Sequence, residues 1–306
     1  MSWFSELDKW VGDYLPDMQM LADEPLSRHS SFRIGGAARR FALPADSQQL
    51  ILLENFAEEC GARPLVIGNG TNVLFPDEGL DRLVISTRDM ANVSRTENAC
   101  EVVADAGASL AKVAVFACRE SLGGLAFAHG IPGTVGGAMC MNAGAYGGEM
   151  KDVVKTVTIL FPQEGVRVLS CEEMAFGYRR SILNDHPDGI VLSAVFCLHP
   201  GNSDEICAEM DALMEKRRAS QPLELPSAGS TFKRPEGHFA GTLIQETGCK
   251  GLQVGGAQVS AKHAGFVVNA GGATAEDVRA LIAQVQKRVF DATGVALEPE
   301  VKIIEG

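Results

Sequence analysis

Apolar residues recur at helical spacing at the start of the chain. This periodicity predicts an amphipathic helix over residues 2–15, whose apolar side is formed by Trp3, Phe4, Leu7, Trp10, Val11, Tyr14 and Leu15. Its polar side carries acidic residues instead of the basic run that is typical of membrane-surface helices. We therefore expect the helix to dock on the body of the protein.

The next pattern predicts a small strand, helix, strand unit. Asp46 and Ser47 can begin a helix that Gly61 ends. Short apolar runs predict strands over residues 64–67 and 82–86.

Beyond residue 99 the pattern is that of strands joined by short turns. We expect strands over residues 100–104, 151–161, 166–169 and 189–198. The turn Pro162–Gly165 joins two of them, which indicates antiparallel pairing. Helices are expected after Ser109 and from Ser203 to about residue 219.

The end of the chain carries the clearest helix signal. Thr274 and Asp277 have the spacing of a capping box, and Gly294 can end the helix that they begin. A final strand is predicted over Val295–Ile304. Because helices and antiparallel strands are segregated along the chain, the fold class is predicted to be α+β rather than a doubly wound sheet.

Composition and charge narrow the class of protein. The chain has 306 residues, of which 46% are hydrophobic, so it can bury a sizeable core. Its net charge of −12 argues against general nucleic-acid binding. The beginning of the sequence lacks the pattern of a secretory signal. The most apolar stretch of the chain, Ile190–Leu198, is too short to cross a membrane. We expect a cytoplasmic protein with no membrane partner.

The eight cysteines are scattered along the chain. None of them forms a C-x-x-C pair or a close cluster with histidine, so we expect no metal site and no disulfide framework. Most should be buried, reduced thiols.

Glycine is the residue type that stands out. The chain has 33 glycines, and they are concentrated between Gly123 and Gly148. Main-chain N–H groups that hold a phosphate need both unusual backbone angles and close approach, and glycine permits both. The sequence therefore predicts loops that bind a large phosphate-bearing ligand.

Two glycine loops are candidates for that role. Gly68–Asn72 follows a strand, but Val73 stands where a dinucleotide fingerprint needs its third glycine, so this loop is either an anion-binding turn or a plain tight turn. Ile131–Gly137 is the more specific signal and is predicted to cover a pyrophosphate. His129, beside it, could bond a cofactor or cap the loop.

Three polar residues have ordinary interpretations when taken alone. Ser230 is typical of a helix cap or a turn. Arg179 could clamp a carboxylate or phosphate, but alone it is more typical of a solvated arginine pair with Arg180. Glu300 lies among residues that alternate between apolar and charged, which is typical of a solvated strand face.

The motifs taken together resemble those of UDP-N-acetylenolpyruvoylglucosamine reductases, flavoenzymes that complete UDP-N-acetylmuramic acid for peptidoglycan. They occur in the order of that family and extend over about residues 20–306. The matching stretches are His29–Gly36, Gly68–Asn72, Gly130–Ala138, Met141–Gly147, Tyr178–Arg179, Ala228–Lys233, Gly255–Phe266 and Leu297–Ile304.

The resemblance implies an FAD-binding PCMH-type fold in two parts, like that of vanillyl-alcohol oxidase, followed by a C-terminal α+β substrate domain. We expect an N-terminal extension over residues 1–20, FAD-binding subdomains over 21–90 and 91–219, and a substrate domain over 220–306. A monomer is expected.

The resemblance also implies non-covalently bound FAD as cofactor and NADPH as co-substrate. The positions that match the cofactor-binding residues of the family are Arg33, Ile34, Gly68, Asn69, Gly70, Thr71, Asn72, Gly130, Ile131, Pro132, Gly133, Thr134, Gly136, Gly137, Ala138, Asn142 and Gly144.

The catalytic positions of the family match Arg179, Ser230 and Glu300. The resemblance implies that hydride from the reduced flavin goes to the enolpyruvyl double bond of UDP-N-acetylglucosamine-enolpyruvate. It also implies that Ser230 supplies the proton and that Arg179 and Glu300 stabilise the enolate. The resemblance alone replaces the ordinary interpretations of these three residues.

Some members of the family bind substrate through a tyrosine on an inserted loop. No tyrosine lies between Arg179 and Ser230, so this chain looks like the shorter, second type. Arg217, Arg218, Lys233 and Arg234 are then the candidates for binding the UDP diphosphate. Tyr178, Lys262 and His263 also match positions beside the substrate.

Two rival functions remain open at this stage. A flavin oxidase of the same fold often attaches its flavin through His or Cys, for which His129 or Cys140 are the local candidates. A non-catalytic nucleotide-sugar binding protein would be expected to lack one of the three catalytic matches, and all three are present.

Overall fold

The computed structural model describes residues 2–62 and 64–306, which form two compact units. The first unit consists of residues up to Leu21 together with Arg40–Asn69 and Arg82–Arg217, and the second of Ala22–Arg39, Gly70–Asp81 and Arg218–Gly306. The four-part domain division expected from the sequence stays a prediction.

The helices are α1 Trp3–Tyr14, α2 Ser47–Glu59, α3 Leu110–Arg119, α4 Val135–Met141, α5 Ser203–Ser220, α6 Ala240–Glu246 and α7 Ala275–Thr293. The first nine strands are β1 Gln19–Pro25, β2 Ala37–Leu43, β3 Leu65–Ile67, β4 Val73–Leu74, β5 Leu80–Ser86, β6 Val93–Arg95, β7 Glu101–Asp105, β8 Leu122–Gly123 and β9 Gly144–Ala145. The others are β10 Gly148–Glu149, β11 Val154–Phe161, β12 Gly165–Ser170, β13 Ile190–Cys197, β14 His199–Pro200, β15 Gln253–Val254, β16 Ala257–Val259, β17 Val267–Asn269 and β18 Lys302–Ile303.

A five-stranded antiparallel sheet organises the first unit. Its strand order is β12-β11-β13-β7-β6, and all its neighbours are antiparallel, as the short turn between β11 and β12 predicted. Val157 and Ile159 of β11 are fully buried in a core shared with apolar residues of α3 and α4. The antiparallel part of the predicted α+β class is therefore confirmed.

The N-terminal helix docks on the first unit, as its amphipathic pattern predicted. Leu7 and Val11 of α1 are buried in one cluster with Leu50 and Leu53 of α2. Each such side chain contributes about 1.5–3 kcal/mol by leaving water. The Trp10 and Phe56 rings stack with their centroids 4.5 Å apart.

The second unit is built around helix α7 and a three-stranded antiparallel sheet of order β15-β16-β17. The predicted capping box is present: the Thr274 hydroxyl accepts from the Asp277 N–H at 3.0 Å, and an Asp277 carboxylate oxygen accepts from the Thr274 N–H at 3.1 Å. Gly294 ends the helix in the left-handed conformation. The capping prediction is therefore confirmed at both ends of α7.

The predicted final strand is much shorter than expected. Only Lys302–Ile303 forms a strand, and it pairs in parallel with Val73–Leu74. The preceding residues 298–300 pair with residues 231–233 through an isolated bridge between Phe232 and Pro299. Pro299 lacks an N–H to donate, so this pairing cannot continue as a regular ladder.

The expectation of no disulfide is wrong at one pair of cysteines. The structure joins Cys118 of α3 to Cys207 of α5, with their Cα atoms 6.4 Å apart. The two residues are 89 positions apart and come together only because α3 and α5 pack in the same core. The other six cysteines form no disulfide among the residues that the structure describes.

In the part of the chain that the structure describes, no helix is long and apolar enough to span a bilayer.

Candidate functional site

In the first unit, the second glycine loop leads directly into helix α4. Thr134 caps that helix, and its hydroxyl accepts from the Gly137 N–H at 3.4 Å. The loop is tied to the sheet side of the unit, because the Gly136 N–H donates to the Ala106 carbonyl oxygen at 2.8 Å. At the other end of the loop the Ile131 N–H donates to the Ala128 carbonyl oxygen at 3.0 Å, so the predicted pyrophosphate loop is held by hydrogen bonds at both of its ends.

The start of the first glycine loop lies against Thr134. A Cβ atom at Gly68 would stand 2.2 Å from the Thr134 hydroxyl oxygen, so only glycine allows this approach. Gly68 and Thr134 were predicted from separate motifs to bind the same cofactor. The structure brings these two residues into contact within the first unit.

His129, at the start of the second loop, has a buried ring nitrogen without a partner. Its Nδ1 makes no hydrogen bond to any of the residues that the structure describes. Buried polar atoms are nearly always paired, with protein, water or ligand. Such an atom beside glycines that permit close backbone approach fits the binding of a large polar cofactor such as FAD.

Arg217 packs against the same loop. A Cβ atom at Gly130 would lie 3.2 Å from the Arg217 Cδ atom. Burial lowers the pKa of the Arg217 guanidinium, and the nearby Tyr146 partly opposes that shift. The sequence predicted Arg217 as a substrate residue, and the structure brings it to the loop that was predicted to bind the cofactor.

Asn142 links the glycine region to the turn that carries Arg179. Its side chain is fully buried, and its Nδ2 atom donates to the Glu149 carboxylate at 2.8 Å and to the Gly177 carbonyl oxygen at 3.1 Å. Its Oδ1 atom accepts from the Lys151 N–H at 2.9 Å. Asn142 itself is in the left-handed region, with a φ of 45°. We conclude that Asn142 joins these segments through the hydrogen bonds of one buried side chain.

Tyr178 and Arg179 form the tip of a tight turn. Gly177 and Arg180 exchange two backbone hydrogen bonds, of 3.0 and 3.3 Å. Arg179 has a φ of 55°, which is unfavourable for a residue with a side chain. Its guanidinium carbon lies 5.1 Å from the Tyr178 ring centroid. Non-glycine residues in this conformation often mark functional sites, where the surrounding structure maintains the strain.

In the second unit, the rest of the first glycine loop lies against residues 29–31. A Cβ at Gly70 would stand 2.0 Å from the His29 carbonyl oxygen, and the Gly70 oxygen accepts from the Ser31 N–H at 3.1 Å. Arg33 is exposed with a φ of 57°, whereas Ile34 is buried. The predicted cofactor residues of this unit thus come from two segments that are in contact.

The segments of Ser230 and Glu300 are neighbours in the second unit. The Glu300 N–H donates to the Thr231 carbonyl oxygen at 2.8 Å. Asn72, a predicted cofactor residue, donates through Nδ2 to the Glu300 carbonyl oxygen at 3.1 Å. Ser230 is exposed and follows Gly229, whose φ is 73°. Two predicted catalytic segments and one cofactor loop therefore meet here.

Thr231 is a residue of this site that sequence motifs alone do not single out. It is 3% exposed, and its N–H, carbonyl and hydroxyl all make hydrogen bonds to other segments. Nothing in the local sequence marks it except its position next to Ser230. Its importance comes from long-range contacts that only the folded chain reveals.

Three of the four basic residues predicted to bind the diphosphate, Arg218, Lys233 and Arg234, lie in the second unit and have protein contacts there. Lys233 pairs with Glu298. The Arg234 guanidinium lies 3.9 Å from the Phe239 ring centroid, and Lys262 Nζ donates to the Arg218 carbonyl oxygen at 2.6 Å. These side chains would have to keep or exchange such contacts on binding an anion.

Comparisons with known proteins cover both units. A family model described as UDP-N-acetylenolpyruvoylglucosamine reductase, C-terminal domain, matches residues 221–304, and a model described as FAD binding domain matches residues 38–170.

Individual relatives match almost the whole chain. A UDP-N-acetylenolpyruvoylglucosamine reductase of Agathobacter rectalis is 48% identical and covers 97% of this chain and 97% of the relative. One from Caldanaerobacter subterraneus subsp. tengcongensis is 45% identical over 95% of this chain and 96% of the relative. The crystal structure of the enzyme of that name from Thermus caldophilus matches with a TM-score of 0.78 and 34% identity, covering 94% of this chain and 99% of that one. These matches confirm the FAD-binding fold and the distinct C-terminal part.

Proposed function

Because the chain belongs to the UDP-N-acetylenolpyruvoylglucosamine reductase family and is an FAD-dependent oxidoreductase, we propose that it reduces UDP-N-acetylglucosamine-enolpyruvate to UDP-N-acetylmuramate with NADPH. This reaction would serve peptidoglycan synthesis in the cytoplasm, and thereby cell shape and division. The observation that carries the proposal is the backbone pairing of residues 231–233 with residues 298–300. That pairing makes the segments of Ser230 and Glu300 neighbours.

FAD held by the two glycine loops would supply the hydride chemistry, which carries hydride from NADPH to the methylene carbon of the enolpyruvyl group. The addition leaves negative charge on the adjacent carbon and the substrate carboxylate. We assign the stabilisation of this charge to the guanidinium of Arg179 and to Glu300, the latter in its protonated form or through a bridging group. The Ser230 hydroxyl then donates the proton to the adjacent carbon. Hydride and proton together saturate the double bond.

The cofactor would be held by backbone N–H groups and short side chains of both glycine loops. Support comes from the unpartnered Nδ1 of His129 and from the close approach of Gly68 to Thr134. The residues proposed for this role are Arg33, Ile34, Gly68, Asn69, Gly70, Thr71, Asn72, Gly130, Ile131, Pro132, Gly133, Thr134, Gly136, Gly137, Ala138, Asn142 and Gly144.

We propose that the nucleotide sugar is bound by cations and by residues beside the reacting group. The cations are the candidates for the diphosphate, because no tyrosine follows Tyr178 in the chain. The proposed substrate residues are Tyr178, Arg217, Arg218, Lys233, Arg234, Lys262 and His263. We also propose that the enzyme acts as a monomer.

Ser230→Ala tests the proton donor. A positioned general acid contributes about 10²- to 10⁴-fold in rate, so flavin reoxidation by the enolpyruvyl sugar should slow by that factor. Flavin reduction by NADPH should continue at the wild-type rate, because no proton from Ser230 is needed there. Anaerobic stopped-flow absorbance of the flavin measures both half-reactions.

Ser227→Ala is the matched control, because it removes a hydroxyl from the same loop at a position with no proposed role. Equal slowing of both half-reactions in Ser230→Ala would contradict the role of Ser230. A flavin that NADPH bleaches and that returns only on admission of air would instead indicate an oxidase. Absence of flavin after addition of FAD would indicate a binding protein.

A further inference from the structure

We infer that His263 is a positioning residue for Ser230, acting through the backbone of Gly265 and Thr231. The inference rests on the proposed role of Ser230 as proton donor. This positioning role is separate from any contact of His263 with substrate. It depends on Nδ1, the ring nitrogen that forms a hydrogen bond with the protein.

The backbone of His263 is fixed by a buried turn. The hydroxyl oxygen of Ser260, which is 2% exposed, accepts from the N–H groups of Lys262 and His263 at 3.1 and 3.2 Å. The His263 carbonyl oxygen accepts from the Phe266 N–H at 3.0 Å. The start of the His263 side chain therefore has little freedom to move.

The imidazole ring is fixed as well. Its Nδ1 accepts from the Gly265 N–H at 3.1 Å, which requires the proton of the neutral ring to be on Nε2. The ring meets the Phe266 ring edge to face, with centroids 5.0 Å apart. Cβ atoms at Gly241 and Gly265 would lie only 3.3 and 3.0 Å from the His263 Cε1 atom. The two glycines thus leave just enough room for the ring.

Gly265 transmits this restraint to Thr231. Its carbonyl oxygen accepts from the Thr231 N–H at 2.9 Å, so hydrogen bonds hold Gly265 on both its N–H and its C=O side. The peptide N–H of Thr231 belongs to the same planar unit as the Ser230 carbonyl. Orientation of that unit sets where the Ser230 side chain can point.

Thr231 also connects the restrained backbone of Gly265 to Glu300 through hydrogen bonds. Its hydroxyl accepts from the Val267 N–H at 2.9 Å, and its carbonyl oxygen accepts from the Glu300 N–H at 2.8 Å. His263 and the two proposed catalytic residues of this unit are therefore joined by one series of hydrogen bonds through Thr231.

The series depends on the protonation state of His263. Burial lowers the pKa of the imidazole, and the positive charge of Lys250 lowers it further, while a backbone hydrogen bond opposes the shift. Among the described residues, Lys250 is the charged side chain whose field shifts the pKa of the His263 ring. At neutral pH the ring is therefore uncharged and Nδ1 can accept. Once protonated in acid, Nδ1 becomes a donor and loses the Gly265 N–H.

Two amide substitutions of His263 test the roles of its two ring nitrogens separately. In His263→Asn the side-chain oxygen can take the position of Nδ1 and accept from Gly265, whereas in His263→Gln the amide reaches the position of Nε2 and leaves the Gly265 N–H unpaired. The readouts are the two half-reactions measured by anaerobic stopped flow, together with the concentration of enolpyruvyl sugar that gives half the maximal reoxidation rate. His186→Gln, an exposed histidine of the first unit, is the control.

For His263→Gln we expect maximal reoxidation by the sugar to slow by about 10- to 100-fold, because small misplacement of a reacting group is costly. The rate of flavin reduction by NADPH should change much less, and the slowing of reoxidation should persist at saturating concentrations of the sugar. His263→Asn should recover most of the lost rate. Equal slowing of reoxidation in His263→Gln and His263→Asn would show that the hydrogen bond to Nδ1 does not position Ser230, and it would overturn the inference.

The pH dependence of reoxidation is a second test of the inference. In the wild type, maximal reoxidation should fall as the pH drops through the lowered pKa of His263, and this limb should be absent from the His263→Asn profile. A limb that persists in His263→Asn would overturn the inference. Wild-type reoxidation rates in Ser230→Ala would instead overturn the proposed function, so the two failures are distinguishable.

Discussion

Arg179 in the first unit and Ser230 in the second are proposed to act on the same reacting group, yet they are held by opposite means. Arg179 is at the tip of a local turn in a strained left-handed conformation. Ser230 is flanked by Thr231, whose hydrogen bonds reach residues far away in sequence. The contrast shows that precise placement can come from a short strained segment or from long-range backbone pairing.

The largest expected effect is on the support of the Arg179 turn. Asn142→Leu removes a buried amide, which leaves the Lys151 N–H without its acceptor and the Gly177 carbonyl with only the Arg180 N–H as donor. An unpaired buried group costs about 1–3 kcal/mol and leucine at a φ of 45° adds about 1 kcal/mol or more of strain, so the free energy of unfolding should fall by about 3 kcal/mol. Urea denaturation followed by circular dichroism measures the loss.

Hydrogen exchange would show whether that support is local. Amides of residues 177–180 should exchange faster in Asn142→Leu, whereas those of Thr231 and Glu300 in the other unit should keep their protection. Faster exchange at Thr231 as well would contradict the comparison, because the Arg179 turn and the Ser230 segment would then both depend on Asn142.

The corresponding change in the second unit is Thr231→Val. It keeps the shape of the side chain but removes the acceptor of the Val267 N–H, which should lower the free energy of unfolding by about 2 kcal/mol. Thr231→Ser retains the hydroxyl and is the matched control. Reoxidation by the enolpyruvyl sugar should slow more in Thr231→Val than in Thr231→Ser. The reverse order would mean that the hydroxyl does not position Ser230.

The smallest expected effect on stability comes from removing the backbone strain at Arg179. Glycine adopts a positive φ without steric cost, so Arg179→Gly should stabilise the protein by up to about 1 kcal/mol while abolishing most of the reduction of the sugar. Ala175→Gly is a matched control, because Ala175 has a φ of 48° and no proposed role. It should give a similar stabilisation with normal activity. A loss of stability in Arg179→Gly would show that its side-chain contacts outweigh the strain.

Local signals in the sequence predicted the local parts of the fold. The Thr274 cap, the hairpin at Pro162–Gly165 and the docking of α1 depend on residues close in the chain or on one face of a helix, and each is confirmed. The end of the chain was predicted less well, because residues 298–300 pair with residues 231–233 instead of continuing a strand.

The candidate site was harder to predict from single residues. Glu300 alternates with apolar neighbours as on a solvated strand, and only its distant partners Asn72 and Thr231 distinguish it from such a face. Asn72 is 228 positions away from it in sequence. Family resemblance identified these positions because it carries information about such long-range contacts, which periodicity and spacing do not.

The disulfide between Cys118 and Cys207 has a consequence for how the chain can be cut. Everything between those residues, including the second glycine loop and the Arg179 turn, lies inside a covalently closed loop. Gln163 and Glu164 are exposed in the turn between β11 and β12, where a protease can reach the backbone. Protein nicked there would still migrate as one species in a denaturing gel and would separate into two fragments only after treatment with a reductant.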